Sequence, residues 1–289
     1  MEHSFKKQHT GPKFKKPQAK KPWKPQNKNT QRPASQRDNT TSWEPVAKWY
    51  KDIVGTEGHY YHQRIILPGV MKIMDLKNTL DPAVLDIACG QGVLGANLPR
   101  EVEYIGLDVS PDLIRAATRN DKSKTHSYHV HDVTKPLGIS KKNFSHATII
   151  LALQNIEHAE KTVLHAAHHL RENGQLIIVL NHPAFRIPRQ SMWQVDQDKK
   201  IQYRRIDRYA SSMTIPILAH PSKGTQSAET LTFHRPISVY SKWLKDAGFL
   251  IETIDEWCSD KKSEGGAAKM ENRARDEFPL FMTIVARKT

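Results

Sequence analysis

The sequence predicts an α/β protein built on a parallel sheet with helices on both faces. Two observations carry this. From residue 83 onward, short apolar runs of strand length alternate with helical runs, the pattern of repeated βαβ units. Several of those runs, such as "HATIILAL" and "GQLIIVLN", are almost continuously apolar, as strands buried on both faces must be.

The elements follow in order. "AVLDIAC" reads as a strand, followed by a glycine-rich turn and a short helix. "EYIGLDVS" leads into the helix "PDLIRAATRN", and "THSYHVHDV" into a loop. "HATIILAL" precedes the helix "EKTVLHAAHHLREN". "GQLIIVLN" then runs into "NHPAF", and "LIETIDEW" and "LFMTIVARK" complete seven strand-like runs. Residues 182–235 break the rhythm: "IQYRRIDRYASSMTIPIL" and "ETLTFHR" read as antiparallel strands around a turn at "HPSKGTQS". Insertions on a rigid sheet are where specificity usually resides. The charged stretch 259–277 reads as a solvated loop able to help cover a pocket. Residues 41–80, rich in aromatics, read as a helical cap that Pro68 breaks or restarts.

Charge is unevenly spread. Residues 1–40 hold 11 Lys and Arg against 2 Asp and Glu, so most of the net +14 lies in this segment. With five prolines and few aliphatic side chains in that segment, it predicts a disordered basic tail. Such a tail can draw in nucleic acid by counterion release, or simply be solvated. No apolar run suits a secretory signal or a membrane span. Cys89 and Cys258 lack metal or redox spacing, so a reduced, cytoplasmic protein is the simplest account.

The glycine-rich turn, Gly90-x-Gly92-x-x-Gly95 with Asp108 18 residues beyond Gly90, formally fits a dinucleotide fingerprint. The strand-end acid Asp86, four positions before Gly90, and the helical preamble argue against NAD. The run Val84-Leu85-Asp86-Ile87-Ala88-Cys89-Gly90-Gln91-Gly92 instead resembles the first motif of class I S-adenosylmethionine (SAM) dependent methyltransferases, with Ala88 in place of the first glycine. The resemblance spans roughly residues 41–289. It implies a Rossmann-like seven-stranded sheet in a domain covering 81–289, with the cap before it and the β-rich insertion 182–235 after the fifth strand.

The same resemblance implies the cofactor contacts. Asp86 would lie near the methionine amino group, over a turn formed by Ala88, Cys89, Gly90, Gln91 and Gly92. Asp108, with Val109 beside it, would accept the ribose hydroxyls. Asp132 and the Val133 amide would meet the adenine, and Leu151 would sit by the sulfonium. An aromatic of the cap, Tyr61 among Tyr50, Tyr60 and His62, would close over the cofactor.

Methyl transfer from a sulfonium needs alignment more than proton transfer, so catalytic residues are poorly marked. Candidates are His158 and His182 at the ends of the fourth and fifth strands, alongside Gln154, Asn155, Glu157, Asn181 and Arg186. "NHPAF" has the look of the clamp used by base methyltransferases, but that clamp follows the fourth strand and carries Pro where His182 stands. The histidines 165, 168, 169, 129 and 131 lack zinc-site spacing, and no metal is expected. The plan resembles methyltransferases of the ubiquinone and menaquinone biosynthesis type, which implies O- or C-methylation of a small organic acceptor. An RNA or ribosome-associated acceptor recruited by the tail, or SAM binding without catalysis, are the competing readings.

Overall fold

The computed structural model describes residues 58–218 and 229–289. The expected tail, the first part of the cap with Tyr50, and the "HPSKGTQS" turn lie outside the described residues.

Seven strands form one sheet: β1 (Ala83–Ile87), β2 (Glu103–Asp108), β3 (His126–Val130), β4 (Phe144–Ile150), β5 (Leu170–Asn181), β10 (Phe249–Trp257) and β11 (Phe281–Lys288), in the order β10-β11-β5-β4-β1-β2-β3. The first five are parallel neighbours, and β11 runs antiparallel between β5 and β10. This is the Rossmann-like architecture that the sequence predicts. Because strand order reverses at β1 and β4, a crevice opens above their carboxyl ends, the usual ligand site of such sheets.

Side chains alternate between two cores as the strand period of two requires. Leu85, Ile87, Leu176, Ile178 and Leu180 pack on one face with α3 (Ala159–His169) and α4 (Ile237–Asp246). Val84, Ile177 and Val179 face the other way, onto Ile66, Val70 and Met74. Those residues belong to a π turn (His62–Ile66) and to α1 (Leu67–Met74), the described part of the cap. Pro68 sits in the first turn of α1, where its missing N–H costs nothing, so it starts the second helical piece. Gly69 lets that helix approach Trp257: a Cβ there would lie 2.6 Å from the indole. α2 (Pro111–Asn120), capped by the Ser110 hydroxyl, packs against β2 and β3.

Two expectations need correction. The insertion contains two hairpins rather than one. β6 (Ser191–Asp196) pairs with β7 (Ile201–Ile206), and β8 (Met213–Leu218) pairs with β9 (Glu229–His234). "SMWQVD" hides as a strand because the β6–β7 hairpin is only partly buried, so its alternation is faint. The charged stretch is also not simply a loop. Residues Ala268–Glu277 form α5, whose polarity reflects a helix with one face on the protein; Ala274 is its buried contact.

Candidate functional site

The turn after β1 is built on left-handed backbone: Ala88 (φ +60°), Gly90 (φ +57°) and Gly92 (φ +78°). Gly92 is confined as well, since a Cβ there would stand 2.9 Å from both Ala117 of α2 and the Tyr128 ring. The Cys89 amide donates to the Leu107 carbonyl at 2.9 Å, lacing the turn to β2. Burial pushes the Cys89 thiol well above its usual pKa, so Cys89 fills space and is not a nucleophile. Gln91 is buried beside it.

Ala88 departs from the family motif at a position where glycine relieves real strain. A left-handed L-residue costs roughly 1–2 kcal/mol, while glycine loses about 0.4–1 kcal/mol through the unfolded chain. Ala88→Gly is therefore expected to raise unfolding free energy by up to about 1 kcal/mol, and urea unfolding would measure it. A loss of stability would show that the methyl group packs favourably enough to outweigh the strain.

Asp108, at the end of β2, is 8% exposed. Its two oxygens accept from the Gly90 amide at 2.9 Å and from the Ser110 amide at 2.9 Å. A carboxylate has about four acceptor positions, so one side chain can order the turn and also present acceptors to a diol. Val109 is half-buried next to it. Past β3, Asp132 accepts from the Thr134 amide and hydroxyl at 3.0 and 2.7 Å, and Lys135 approaches its other oxygen at 3.5 Å. Its carboxyl is partly exposed at the crevice end of β3, whereas the neighbouring Val133 is buried in the core.

Leu151 follows β4 with φ +53°, an outlier for so bulky a residue. Its amide donates to the Val179 carbonyl at 2.8 Å, and its carbonyl accepts from Gln154 and Asn155 side chains at 2.8 and 3.2 Å. Strain over-determined in this way collects at functional sites. Here it lies on the strand next to the strained turn of β1.

Asp86 lies beneath the turn, its own oxygens engaged within the sheet. It is 2% exposed, and its oxygens accept from Tyr104 and Thr148 hydroxyls, each at 2.8 Å. Burial raises its pKa to about 6 against those two hydrogen bonds, with Asp108 adding to the rise. Asp86 braces the sheet beneath the turn. Tyr104 and Thr148, which hold it, have no marker in the sequence.

The described cap reaches the crevice through Tyr61. Its hydroxyl shares a hydrogen bond with Ser259 at 3.1 Å, and its ring meets Phe281 edge-on at 5.8 Å. Lys261 stands 5.1 Å from the ring centroid. Ser259 and Lys261 lie in the stretch read as solvated loop, about 200 positions from Tyr61, a separation no local pattern spans.

His182 is also reassigned. It is 1% exposed, its Nδ1 accepts from the Ala184 and Phe185 amides at 3.1 and 3.3 Å, and its Nε2 donates to Glu256 at 2.6 Å. Burial lowers its pKa against the pull of Glu256. Both nitrogens are engaged, so His182 orders the turn out of β5 instead of taking a proton from an acceptor. His158 is exposed, 3.7 Å from Glu160 at the start of α3. Asn181 is exposed at the end of β5.

The insertion closes onto this end of the sheet. Thr232 donates to the Gln154 carbonyl at 3.2 Å, and the buried Arg235 donates to the carbonyls of Ile156 and Glu157 at 3.0 and 2.6 Å. Phe278, just past α5, meets Phe185 and Trp193 edge-on, each at 5.4 Å. The helix histidines serve packing: His165 and His169 reach the carbonyls of Val133 and Lys141 at 3.1 and 2.7 Å. Among the described residues no group of three or more His, Cys, Asp or Glu is placed to hold a metal, and no helix is long and apolar enough to cross a membrane. A cavity of about 440 Å³ at the amino ends of β1, β2 and β4, lined by Asp81, Glu103, Lys141 and Arg171 among others, lies at the opposite end of the sheet.

Residues 85–176 match the family model described as a methyltransferase domain. No curated protein matches the chain. Among solved structures, a protein from Listeria monocytogenes assigned as an S-adenosylmethionine-dependent methyltransferase is 22% identical, covering 77% of this chain and 99% of its own at a TM-score of 0.59. One from Mesorhizobium loti is 21% identical, over 77% and 100% of the two chains, at 0.58. The glycopeptide N-methyltransferase MtfA, solved with SAM, is 14% identical over 77% and 94%, at 0.52. At these identities the structures establish the fold. Residues 85–176 thus match a methyltransferase domain, and the seven-stranded sheet around them has the fold of these structures.

Proposed function

We propose that this protein is a SAM-dependent methyltransferase that methylates a small organic acceptor, on oxygen or carbon, at the carboxyl ends of β4 and β5. SAM supplies the electrophilic methyl group. Asp108 and Asp132 would hold its nucleoside end, the turn 88–92 its methionine, and Leu151 the region of the sulfonium, with Tyr61 as the covering aromatic. The observation that carries the acceptor reading is the folded-down insertion. Thr232 and Arg235 fasten it to the loop after β4, and Phe185, Trp193 and Phe278 make an aromatic wall beside the end of β5. A walled apolar site suits a compact organic molecule better than a polyanion backbone. With His182 engaged, alignment and water exclusion carry the reaction, and the exposed His158 is the accessible histidine for a departing proton. A cytoplasmic site of action, expected from two cysteines without metal or redox spacing, is part of this proposal.

The competing reading, RNA methylation, rests on the excess of basic residues before position 41. Transfer of labelled methyl from SAM, scored separately over small molecules, RNA and protein of a cell extract, separates them. The expected result is label in the small-molecule fraction, with activity unchanged on deleting residues 1–40. Label in RNA, lost on that deletion and falling steeply with salt, would replace this reading with the other. Binding of SAM with no label in any fraction would leave a binding protein.

A further inference from the structure

The methyl acceptor's charge can be read from the cations around Tyr61. Arg186, one helical turn past His182, makes no hydrogen bond or ion pair among the described residues, although its backbone amide is fixed to the His182 carbonyl at 2.8 Å. The side chain is exposed; neighbouring protein nonetheless lowers its pKa by desolvation, and Tyr61 is the ionisable group that acts on it. Arg204 of β7 comes to the same turn, donating to the carbonyl of Phe185, the residue before Arg186; burial and then the charge of Arg186 lower its pKa. Arg204 is held by neutral acceptors, the Phe185 carbonyl at 2.6 Å and the Ser191 hydroxyl at 2.7 Å, and it stacks on Trp193 at 4.9 Å. Its Nε is buried without a partner. Lys261 stands over the Tyr60 and Tyr61 rings at 4.5 and 5.1 Å. The nearby Asp260 is engaged by Arg64 at 3.3 Å.

Arg204 thus meets the turn that carries Arg186 while Lys261 stands over Tyr61, and no carboxylate among the described residues is paired with any of the three. Gathering like charges in a partly desolvated cleft is unfavourable unless a counter-charge arrives. A guanidinium fork with its donors unmet is the side chain best suited to a carboxylate or phosphate.

We propose that the acceptor carries a carboxylate or phosphate, and that Arg186 receives it beside the aromatic wall of Phe185, Trp193 and Phe278. The inference rests on the methyltransferase reading above and names the acceptor's class. A carboxylate could also come from the methionine of SAM. Position favours the acceptor: Arg186 follows β5, on the far side of β4 and β1 from the nucleoside-binding Asp108 of β2.

The test uses the full chain saturated with S-adenosylhomocysteine. Benzoate, inorganic phosphate and the neutral benzamide are titrated by calorimetry into wild type, Arg186→Met and Arg186→Lys. Benzoate or phosphate is expected to bind wild type at least about tenfold more tightly than benzamide, the scale of a charged hydrogen-bond pair. Arg186→Met should lose that preference and Arg186→Lys keep part of it, with S-adenosylhomocysteine affinity and thermal midpoint unchanged. Anion binding that is absent, or equal in Arg186→Met, overturns the proposal. So does a tenfold loss of S-adenosylhomocysteine affinity in Arg186→Met with benzoate unaffected, which would give the guanidinium to the cofactor. Wild type that fails to bind S-adenosylhomocysteine at all would sink the methyltransferase reading together with this one.

Discussion

Replacing Asp108 with alanine is expected to weaken SAM binding by about tenfold to a hundredfold, from losing a charged acceptor worth roughly 1–3 kcal/mol. The effect has two parts. The ribose hydroxyls lose their partner, and the Gly90 and Ser110 amides, each bonded to this carboxylate at 2.9 Å, lose theirs. Calorimetry with S-adenosylhomocysteine reads the first. The second appears as a lower thermal midpoint without ligand, because buried N–H groups are left unpaired. Asp108→Asn keeps an acceptor oxygen and should fall between wild type and alanine in both. If affinity for S-adenosylhomocysteine is unchanged in Asp108→Ala, or if the wild type binds NAD instead, the cofactor site is wrongly placed.

Asp86→Asn is expected to change the pH dependence of folding. The folded-state pKa of Asp86 is raised, from 3.8 to about 6. Its protonated form is favoured in the native protein, so the stability it contributes is complete below the unfolded pKa. That stability is lost as pH climbs toward 6 and stays lost above it. The shift corresponds to about 2–3 kcal/mol at 1.36 kcal/mol per pKa unit. Asparagine does not titrate, and it can accept from Tyr104 while donating to Thr148. Between pH 4 and pH 8 the variant should therefore gain about 2–3 kcal/mol relative to wild type. Parallel pH profiles in denaturant unfolding would show that Asp86 is neutral throughout, or that the unfolded chain shifts with it.

The supports of the two acids differ in how far they reach along the chain. The place of Asp108 beside the glycine turn was legible because the pattern is local: a strand end, an acid and a glycine turn lie within 19 residues, and the 2.9 Å bond to Gly90 closes that interval. The role of Asp86 was not, because Thr148, one of the two groups that bury its charge, comes from β4, 62 positions away. His182 looked like a proton acceptor for the same reason. Glu256, which occupies its Nε2, lies 74 positions further on in β10. Alternation failed only where burial is slight, in the β6–β7 hairpin and in α5, since a polar surface element leaves little hydrophobic period to read.

The sequence by itself determined the order of strands and helices, the two-faced burial of the central strands, and the glycine turn with its acids at successive strand ends. Each of these depends on spacing along the chain, through the periods of strand and helix and the conformational freedom of glycine. Only the tertiary structure decided which buried acids are engaged, which histidine nitrogens are taken, and that Arg204 meets the turn carrying Arg186 while Lys261 stands over Tyr61. Those properties depend on burial and on partners brought from distant strands, and desolvation acts on neighbours in space rather than in sequence.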